Sequence, residues 1–170
     1  MSNTNRTRTY EWQDPLKDLE KVKSLSGLDH LLAMNAGEIP LPPLSYTLGF
    51  GKAEAKPGEV TFPFEPQEYH YNTIGTVHGG VISAILDTAM GCTLQSVLPA
   101  GARYTTIELK VNFLRAVTLR NKLLFAKGTI IHTGLTTALV EACLRDGDGR
   151  IYAHATSTCL LRQKTQTTEL

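Results

Sequence analysis

The sequence predicts an α+β fold in which an antiparallel sheet wraps around one long buried helix. Residues 81–98 are apolar almost all round, which is typical of a buried helix. Residues 107–113 alternate between apolar and polar side chains, which is the period of a half-buried strand. Turn signals at 132–134 and 146–149 separate further strand-like runs. Strands joined by hairpins after one buried helix predict a single antiparallel sheet packed on that helix.

The elements before the central helix are predicted from helix start and stop signals. The Asp14-Pro15 pair is typical of a helix start, and a second short helix is expected over about 28–34. The proline-rich residues 40–43 predict an extended connector into the first strand. We expect strands at about 44–55, 59–66, 121–133, 136–146 and 150–162, and the central helix at about 79–98.

Composition limits the classes of function. The chain has 170 residues, of which 42% are hydrophobic and 19% charged, with a net charge of +1. We expect residues 1–25 to form an N-terminal extension with a short helix and residues 26–165 to form one domain. The near-neutral charge argues against nucleic acid as a partner.

Three observations predict a cytoplasmic protein without membrane association. Residues 1–13 are polar and charged, so no secretory leader is expected. The three cysteines have no framework spacing, which favours reduced thiols. Glycine, proline and Asp87 interrupt the apolar run, so no uncharged helix of about 20 residues is left to cross a membrane.

A single carboxylate stands inside this apolar region. Asp87 is the only residue with a formal charge between Tyr69 and Ala102. An unpaired buried charge costs several kcal/mol, roughly, which favours a functional role. Asp87 could act as a general base on water or as a nucleophile on a carbonyl group. The alternative is a structural carboxylate, which would lie at a polar edge of the helix or be satisfied by a structural hydrogen bond.

The His-Gly-Gly turn before the helix could supply the complementary group. The amide of Gly79 would bind a carbonyl oxygen at the helix N-terminus, where oriented amides stabilise negative charge. His78 could polarise that carbonyl or only orient the loop. Asn72 could act on the ligand or simply cap its loop. Thr105 and Thr106 open the next strand, where a hydroxyl could hold the attacking water or only fill the strand.

The spacing of Gly79 and Asp87 predicts a dimer. Eight residues on one helix separate them by about 12 Å, at 1.5 Å per residue. Both groups would have to lie within roughly 3 Å of the atoms on which they act. One chain therefore cannot easily supply both groups to one carbonyl. Two antiparallel copies of the helix across a two-fold axis would bring Gly79 of one chain near Asp87 of the other.

Other chemistries lack their motifs. Cys92 has no histidine at useful local spacing and is expected to belong to the core. The histidines are scattered, which argues against a metal site, and neither a phosphate-binding loop nor a serine nucleophile turn is present in the sequence. We therefore expect no metal and no redox cofactor.

The segment from Asn72 to Asp87, followed by residues 105–115, resembles the hotdog-fold acyl-CoA thioesterases of the phenylacetate-pathway (PaaI-like) type, within the 4-hydroxybenzoyl-CoA thioesterase superfamily. Residues 37–40 and 146–154 also resemble that group, and the similarity extends over roughly residues 26–162. It implies a homodimer with one continuous sheet, and possibly a dimer of dimers.

The resemblance also implies roles for individual residues. The Gly79 amide would bind the thioester carbonyl oxygen, with His78 shaping the turn. Asp87 of the neighbouring chain would be the base or nucleophile, assisted by Thr106, and Asn72 would orient the water or the carbonyl.

The implied activity is hydrolysis of acyl-CoA thioesters with aryl or short to medium acyl groups, in which coenzyme A is part of the substrate. Two alternatives stay open. One is a hotdog enoyl-thioester hydratase or dehydratase, in which His78 and Asp87 would form an acid–histidine dyad. The other is a non-catalytic acyl-CoA-binding protein.

Overall fold

One six-stranded antiparallel sheet packs against a single long helix. The structure, a computed structural model, describes residues 5–162. Its helices are α1 (Leu19–Ser24), α2 (Gly27–Ala36), α3 (Pro43–Leu48) and α4 (Gly79–Gln95), with one 3₁₀ turn over Glu68–His70. Its strands are β1 (Glu54–Lys56), β2 (Glu59–Phe64), β3 (Arg103–Phe113), β4 (Leu124–Thr133), β5 (Thr137–Asp146) and β6 (Ile151–Arg162).

The strand order in the sheet is β1-β2-β4-β5-β6-β3, and every neighbouring pair is antiparallel. Hairpins join β4 to β5 and β5 to β6 at the two predicted turns. The strand that follows α4 along the chain, β3, pairs only with β6 and therefore forms one edge of the sheet. This confirms the predicted α+β arrangement of a central helix and an antiparallel sheet.

The core lies between α4 and the sheet. The side chains of Ile85, Leu86, Met90 and Leu94 on α4 are fully buried, and burial of each contributes about 1.5–3 kcal/mol. Close approach of helix and sheet depends on Gly128 of β4. A methyl group there would lie 2.7 Å from the carbonyl oxygen of Ala89, so any side chain would push α4 away from the sheet.

The predicted first strand over about 44–55 is wrong over most of its length. Residues 43–48 form α3, and the strand β1 is only three residues long. Pro43 occupies the first turn of α3, where its fixed φ suits a helix and its missing amide hydrogen costs nothing. The extended connector over 40–43 is therefore shorter than predicted, because the prolines start a helix instead of feeding a strand.

The first helix also begins later than predicted. Residues 15–18 form a turn in which the Asp14 carboxylate accepts a hydrogen bond from the amide of Leu16 (2.9 Å), and α1 starts at Leu19. The second helix is confirmed, because the predicted span of 28–34 lies within α2.

The half-buried alternation predicted for β3 is interrupted by a bulge at Ile107. The pairing of β3 with β6 shifts register between Thr106 and Glu108. Even-numbered side chains before the bulge and odd-numbered side chains after it therefore face the same side of the sheet. Both Thr106 and Phe113 contact α4. Ile107 itself is 56% exposed. An uninterrupted strand could not turn an even-numbered and an odd-numbered residue to the same face.

Some predictions reach beyond the described residues. Residues 1–4 of the predicted extension and 163–165 of the predicted domain lie outside them, and the division of the chain at residue 26 stays a prediction. Within residues 5–162, no helix combines the length and the apolar character needed to cross a bilayer. The cytoplasmic location stays a prediction.

Candidate active site

Asp87 and Thr106 form the first half of the candidate site. Asp87 lies on α4 and is partly exposed, and its Oδ1 atom accepts a hydrogen bond from the Thr106 hydroxyl at 3.0 Å. The carboxylate was expected to be buried, and in the single chain it is only half-buried. Within residues 5–162 it forms no ion pair, and the hydrogen bond from Thr106 satisfies one of its oxygens. Thr105 makes no hydrogen bond to this carboxylate, so the geometry selects Thr106 from the two adjacent threonines.

Tyr104, which precedes these threonines on β3, covers the next turn of α4. A methyl group at Gly91 would overlap the Tyr104 hydroxyl, so the glycine allows the Tyr104 ring to lie directly on the helix. Burial raises the pKa of Tyr104 well above its usual value, and the neighbouring groups of Cys92, Cys159 and Asp87 add to this. The ring therefore forms a neutral wall one turn beyond the carboxylate.

Cys92 lies on α4 five residues after Asp87, and its thiol feels the charge of that carboxylate. Burial, with a smaller contribution from the negative charge of Asp87, raises its pKa to about 12. At neutral pH the group is a thiol rather than a thiolate, and only the thiolate is a strong nucleophile. This protonation state agrees with the interpretation of Cys92 as a packing residue.

A cavity of about 500 Å³ opens beside Asp87 and Thr106. One wall consists of residues 87–95 of α4, and the start of β3 forms a second wall. The segments before β1 supply the rest: part of the N-terminal extension, α2 and residues 39–42. Sequence reasoning did not predict this contribution from the extension.

Two polar residues of this cavity were also missed. Gln95 lies eight residues after Asp87 on the same face of α4, and this spacing could have identified it. His30 comes from α2, and its position opposite Gln95 depends on how the helices pack. No sequence pattern indicated that position.

The turn before α4 forms the second half of the candidate site. His78 is the N-cap of α4, and its Nδ1 atom accepts a hydrogen bond from the amide of Gly80 at 2.8 Å. The imidazole thus orients the helix start, which is one of the two roles left open by the sequence. Within residues 5–162, the amide of Gly79 donates no hydrogen bond. A methyl group at Gly79 would lie 3.1 Å from the Phe113 ring.

Asn72 holds the loop that precedes this turn. Its Oδ1 atom accepts hydrogen bonds from the amides of Ile74 (3.0 Å) and Thr76 (3.2 Å), and its Nδ2 atom donates to the Thr76 hydroxyl (2.9 Å). Asn72 therefore caps its own loop. It also lines a second cavity of about 330 Å³ together with Gly79 and Phe113.

The five predicted site residues therefore lie in two separate places on the chain. Asp87 and Thr106 line the 500 Å³ cavity, whereas Asn72 and Gly79 line the 330 Å³ cavity. His78 adjoins the latter as the residue before Gly79. The separation agrees with the distance of about 12 Å between Gly79 and Asp87 along the helix.

The chain is similar to known proteins in sequence. The family model of the thioesterase superfamily matches residues 74–153. A candidate esterase of Halobacterium salinarum is 33% identical over 99 residues, which are 55% of this chain and 64% of that protein. A candidate esterase of Saccharolobus solfataricus is 33% identical over 93 residues, or 54% of this chain and 64% of that protein. The alignments therefore span less than two thirds of either relative.

Solved structures share the fold. A candidate thioesterase of Ralstonia eutropha, a phenylacetic acid degradation-related protein, is 28% identical with a TM-score of 0.68, covering 76% of this chain and 98% of that one. A Streptococcus mutans protein solved bound to acetyl CoA is 26% identical with a TM-score of 0.61, covering 68% and 90%. A thioesterase family protein of Silicibacter pomeroyi is 24% identical with a TM-score of 0.68, covering 79% and 99%, and shows the fold alone. The chain has the hotdog fold, and its residues 74–153 match the family model of the thioesterase superfamily.

Proposed function

We propose that the protein hydrolyses acyl-CoA thioesters in sites formed between two protomers. The observation that carries the proposal is the Asp87 carboxylate, which Thr106 holds by a 3.0 Å hydrogen bond beside a cavity of about 500 Å³. A positioned carboxylate next to a ligand-sized cavity is suited to acid–base or nucleophilic chemistry on a bound acyl group. The superfamily of residues 74–153 supports a thioester as the reacting bond.

In this reaction Asp87 acts on water or on the carbonyl carbon itself. As a base, it takes a proton from water while the water oxygen forms a bond to the thioester carbon. The carbon–sulfur bond then breaks, and the coenzyme A sulfur leaves with the proton. As a nucleophile, a carboxylate oxygen of Asp87 forms a bond to the carbonyl carbon, the carbon–sulfur bond breaks, and coenzyme A leaves as the thiolate. Water then hydrolyses the mixed anhydride, which regenerates the Asp87 carboxylate and releases the acid, and the proton released from water goes to the thiolate. Both routes give a free acid and coenzyme A.

The second protomer supplies the group that stabilises the oxyanion. The amide of Gly79 donates no hydrogen bond within residues 5–162, so it can donate to the carbonyl oxygen as negative charge develops. His78 sets the direction of that amide by capping α4. Asn72 holds the adjoining loop in place, and this loop orients the carbonyl group or the water.

The free edge of the sheet supports the dimer. β3 pairs with β6 on one side only, and its Ile107, Leu109 and Phe113 side chains are 38–56% exposed. Unpaired strand edges with apolar side chains are suited to pairing with another chain. We propose that β3 pairs with β3 of a second copy across a two-fold axis. The sheet would then be continuous, and two copies of α4 would lie antiparallel.

The coenzyme A carrier is supported by the Streptococcus mutans protein, which was solved bound to acetyl CoA. The Ralstonia eutropha protein related to phenylacetic acid degradation supports aryl acyl groups among the substrates. We therefore propose aryl and short to medium acyl-CoA esters as the substrate class.

The proposal is tested by measuring free thiol released from a panel of aryl- and alkyl-acyl-CoA esters. We expect turnover by the wild-type protein and a fall in kcat of at least about 100-fold in Asp87→Ala, the usual size for an acid–base group. The matched control is Asp148→Ala, since Asp148 is an exposed carboxylate in the turn between β5 and β6. Wild-type turnover in Asp87→Ala would contradict the mechanism. Hydration of an enoyl-CoA without thiol release would favour the hydratase, and tight binding without turnover would favour a binding protein.

A further inference from the structure

The N-terminal segment, residues 5–10, is attached to the end of α3 through Arg8. The guanidinium of Arg8 donates hydrogen bonds to the carbonyl oxygens of Tyr46 and Thr47, both at 2.5 Å. These carbonyls belong to the last turn of α3, where the helix itself supplies no further amide to bind them. A cation in this position also interacts favourably with the helix dipole. Arg8 therefore fixes the N-terminal segment on α3.

The ring of Tyr69 lies against the same guanidinium. The Cζ atom of Arg8 is 3.9 Å from the centroid of that ring, which is a cation–π distance. Gly49 ends α3 with a φ of 69° and makes room for the contact, because a methyl group there would overlap the Tyr69 hydroxyl. Tyr69 belongs to the 3₁₀ turn, so Arg8 joins α3 to that turn.

His70, the next residue of the 3₁₀ turn, is buried and binds the same end of α3. Its Nδ1 atom accepts a hydrogen bond from the amide of Gln67 at 3.0 Å, so Nε2 carries the proton and donates to the Leu48 carbonyl at 2.7 Å. Burial lowers the pKa of His70, which favours this neutral form of the imidazole. The last three carbonyls of α3 thus all receive side-chain donors, two from Arg8 and one from His70.

The backbone of His70 in turn holds the turn before α4. Its carbonyl oxygen accepts a hydrogen bond from the amide of His78 at 2.8 Å. Tyr71 and Val77 form a β-bridge beside this bond, which closes the base of the loop between them. The amide fixed in this way directly precedes that of Gly79, the proposed donor to the thioester oxygen. A shift of His70 would therefore displace the oxyanion donor, and a displacement of about 1 Å can cost about 100-fold in rate.

A second contact of the N-terminal segment is weaker. Arg6 forms an ion pair with Glu68 of the 3₁₀ turn, with Nε and Oε2 2.6 Å apart. The two side chains are 70% and 54% exposed, and an exposed pair of this kind contributes little. Arg8 combines two charge-assisted hydrogen bonds with stacking on an aromatic ring, which makes it the stronger attachment.

We propose that Arg8 is a positioning residue for the oxyanion donor: it holds α3 and the 3₁₀ turn together and, through His70, fixes the direction of the Gly79 amide. The inference rests on the proposed function, because that function assigns the Gly79 amide to the thioester carbonyl. It gives the N-terminal extension a role in catalysis, although Arg8 lies outside the residues 74–153 that match the thioesterase superfamily.

Hydrogen exchange at single amides tests the structural part of the proposal. Labelling with ¹⁵N-histidine gives five amide signals. The signals of His78 and His154 are assigned by ¹³C-carbonyl labelling of valine and alanine, because the Val-His and Ala-His pairs that contain them each occur once. His154 lies in β6 and serves as the reference for opening of the sheet. In Arg8→Leu we expect the His78 amide to exchange about 10-fold faster relative to that of His154.

Steady-state thiol release tests the catalytic part. Arg8→Leu should lower kcat by about 10-fold and leave KM within about 2-fold of wild type, because an oxyanion donor acts in the transition state and not in substrate binding. Tyr69→Leu removes the ring against the guanidinium and should change both measurements in the same direction. The matched control is Arg150→Leu, which replaces an exposed arginine in the connection between β5 and β6 and should behave as wild type.

A merely structural role of Arg8 gives a different result. The thermal midpoint would fall and the amides of His78 and His154 would exchange faster by the same factor, while kcat well below the midpoint stayed unchanged. That result, or wild-type exchange at His78 in both Arg8→Leu and Tyr69→Leu, would overturn the inference. If the wild-type protein turns over no ester, the proposed function fails, and the exchange measurement still decides whether Arg8 holds the turn before α4.

Discussion

The hydroxyl of Thr106 donates to the Asp87 carboxylate over 3.0 Å, although the two residues belong to different elements and are 19 positions apart. The hydrogen bond restricts rotation of the carboxylate and engages Oδ1. The other oxygen, Oδ2, accepts no hydrogen bond within residues 5–162. A bulge at Ile107 makes this contact compatible with the packing of Phe113 on the same helix.

Replacement of Thr106 by valine should therefore lower activity, because the isosteric side chain cannot donate to Asp87. We expect kcat to fall by about 10-fold, which corresponds to one hydrogen bond to a charged group at the low end of its range. Thr105→Val is the matched control and should stay within about 2-fold of wild type. Steady-state thiol release measures both. Equal losses in the two variants would show that the 3.0 Å contact is not what positions the carboxylate.

Mixing two inactive variants should restore activity if each site takes Asp87 from one chain and Gly79 from the other. Co-expression of Asp87→Ala with Gly79→Leu gives half heterodimers at random pairing, and one of the two sites in each heterodimer is intact. We expect about one quarter of the wild-type activity for a two-fold dimer of this kind.

The control for this experiment is each variant alone, which should show less than about 1% of wild-type turnover. Co-purification on two different affinity tags establishes that heterodimers formed. An inactive heterodimer preparation would contradict the proposal that each site combines Asp87 of one chain with Gly79 of the other.

Substitutions of His78 distinguish a capping role from direct action on the carbonyl. His78→Ala removes the acceptor for the Gly80 amide and should cost about 1 kcal/mol of stability, with a loss of activity as the helix start loosens. His78→Asn supplies another N-cap acceptor and should recover both properties. Thermal unfolding and thiol release measure the two effects. Recovery of stability without activity in His78→Asn would assign the imidazole a direct role in catalysis.

Gly128 should be sensitive to substitution because it lies where α4 meets the sheet. Gly128→Ala would place a methyl group 2.7 Å from the Ala89 carbonyl oxygen, and overpacking of this kind costs about 1–3 kcal/mol. Gly147→Ala is the matched control, since a methyl group there meets no atom within 4 Å. Chemical denaturation gives both free energies of unfolding. A Gly128→Ala protein as stable as the control would mean that α4 can move from β4 without loss.

Local sequence patterns predicted a helix or a hairpin correctly where the residues of that element alone mark it. The run 81–98 predicted α4 because a helix that is apolar all round can be stable only when buried. The turns at 132–134 and 146–149 predicted the strand pairing, since a short turn leaves antiparallel pairing as the only arrangement. The sequence did not predict α3, because residues 44–48 are also compatible with a strand. Pro43 can precede a strand as well as begin a helix, and in the structure it begins α3.

In the candidate site, too, some features follow from local sequence and others only from the tertiary structure. The sequence by itself determined where the residues proposed to carry the chemistry lie: Asp87 in an apolar helix, Gly79 at its start, and a distance of about 12 Å between them. Only the tertiary structure decided that Thr106 rather than Thr105 contacts Asp87, because a bulge changes strand parity without a residue pattern to mark it. It also decided that His30 meets Gln95. Contacts between residues far apart in the chain depend on how helices dock, and that docking is set by packing at positions such as Gly27, not by any local periodicity.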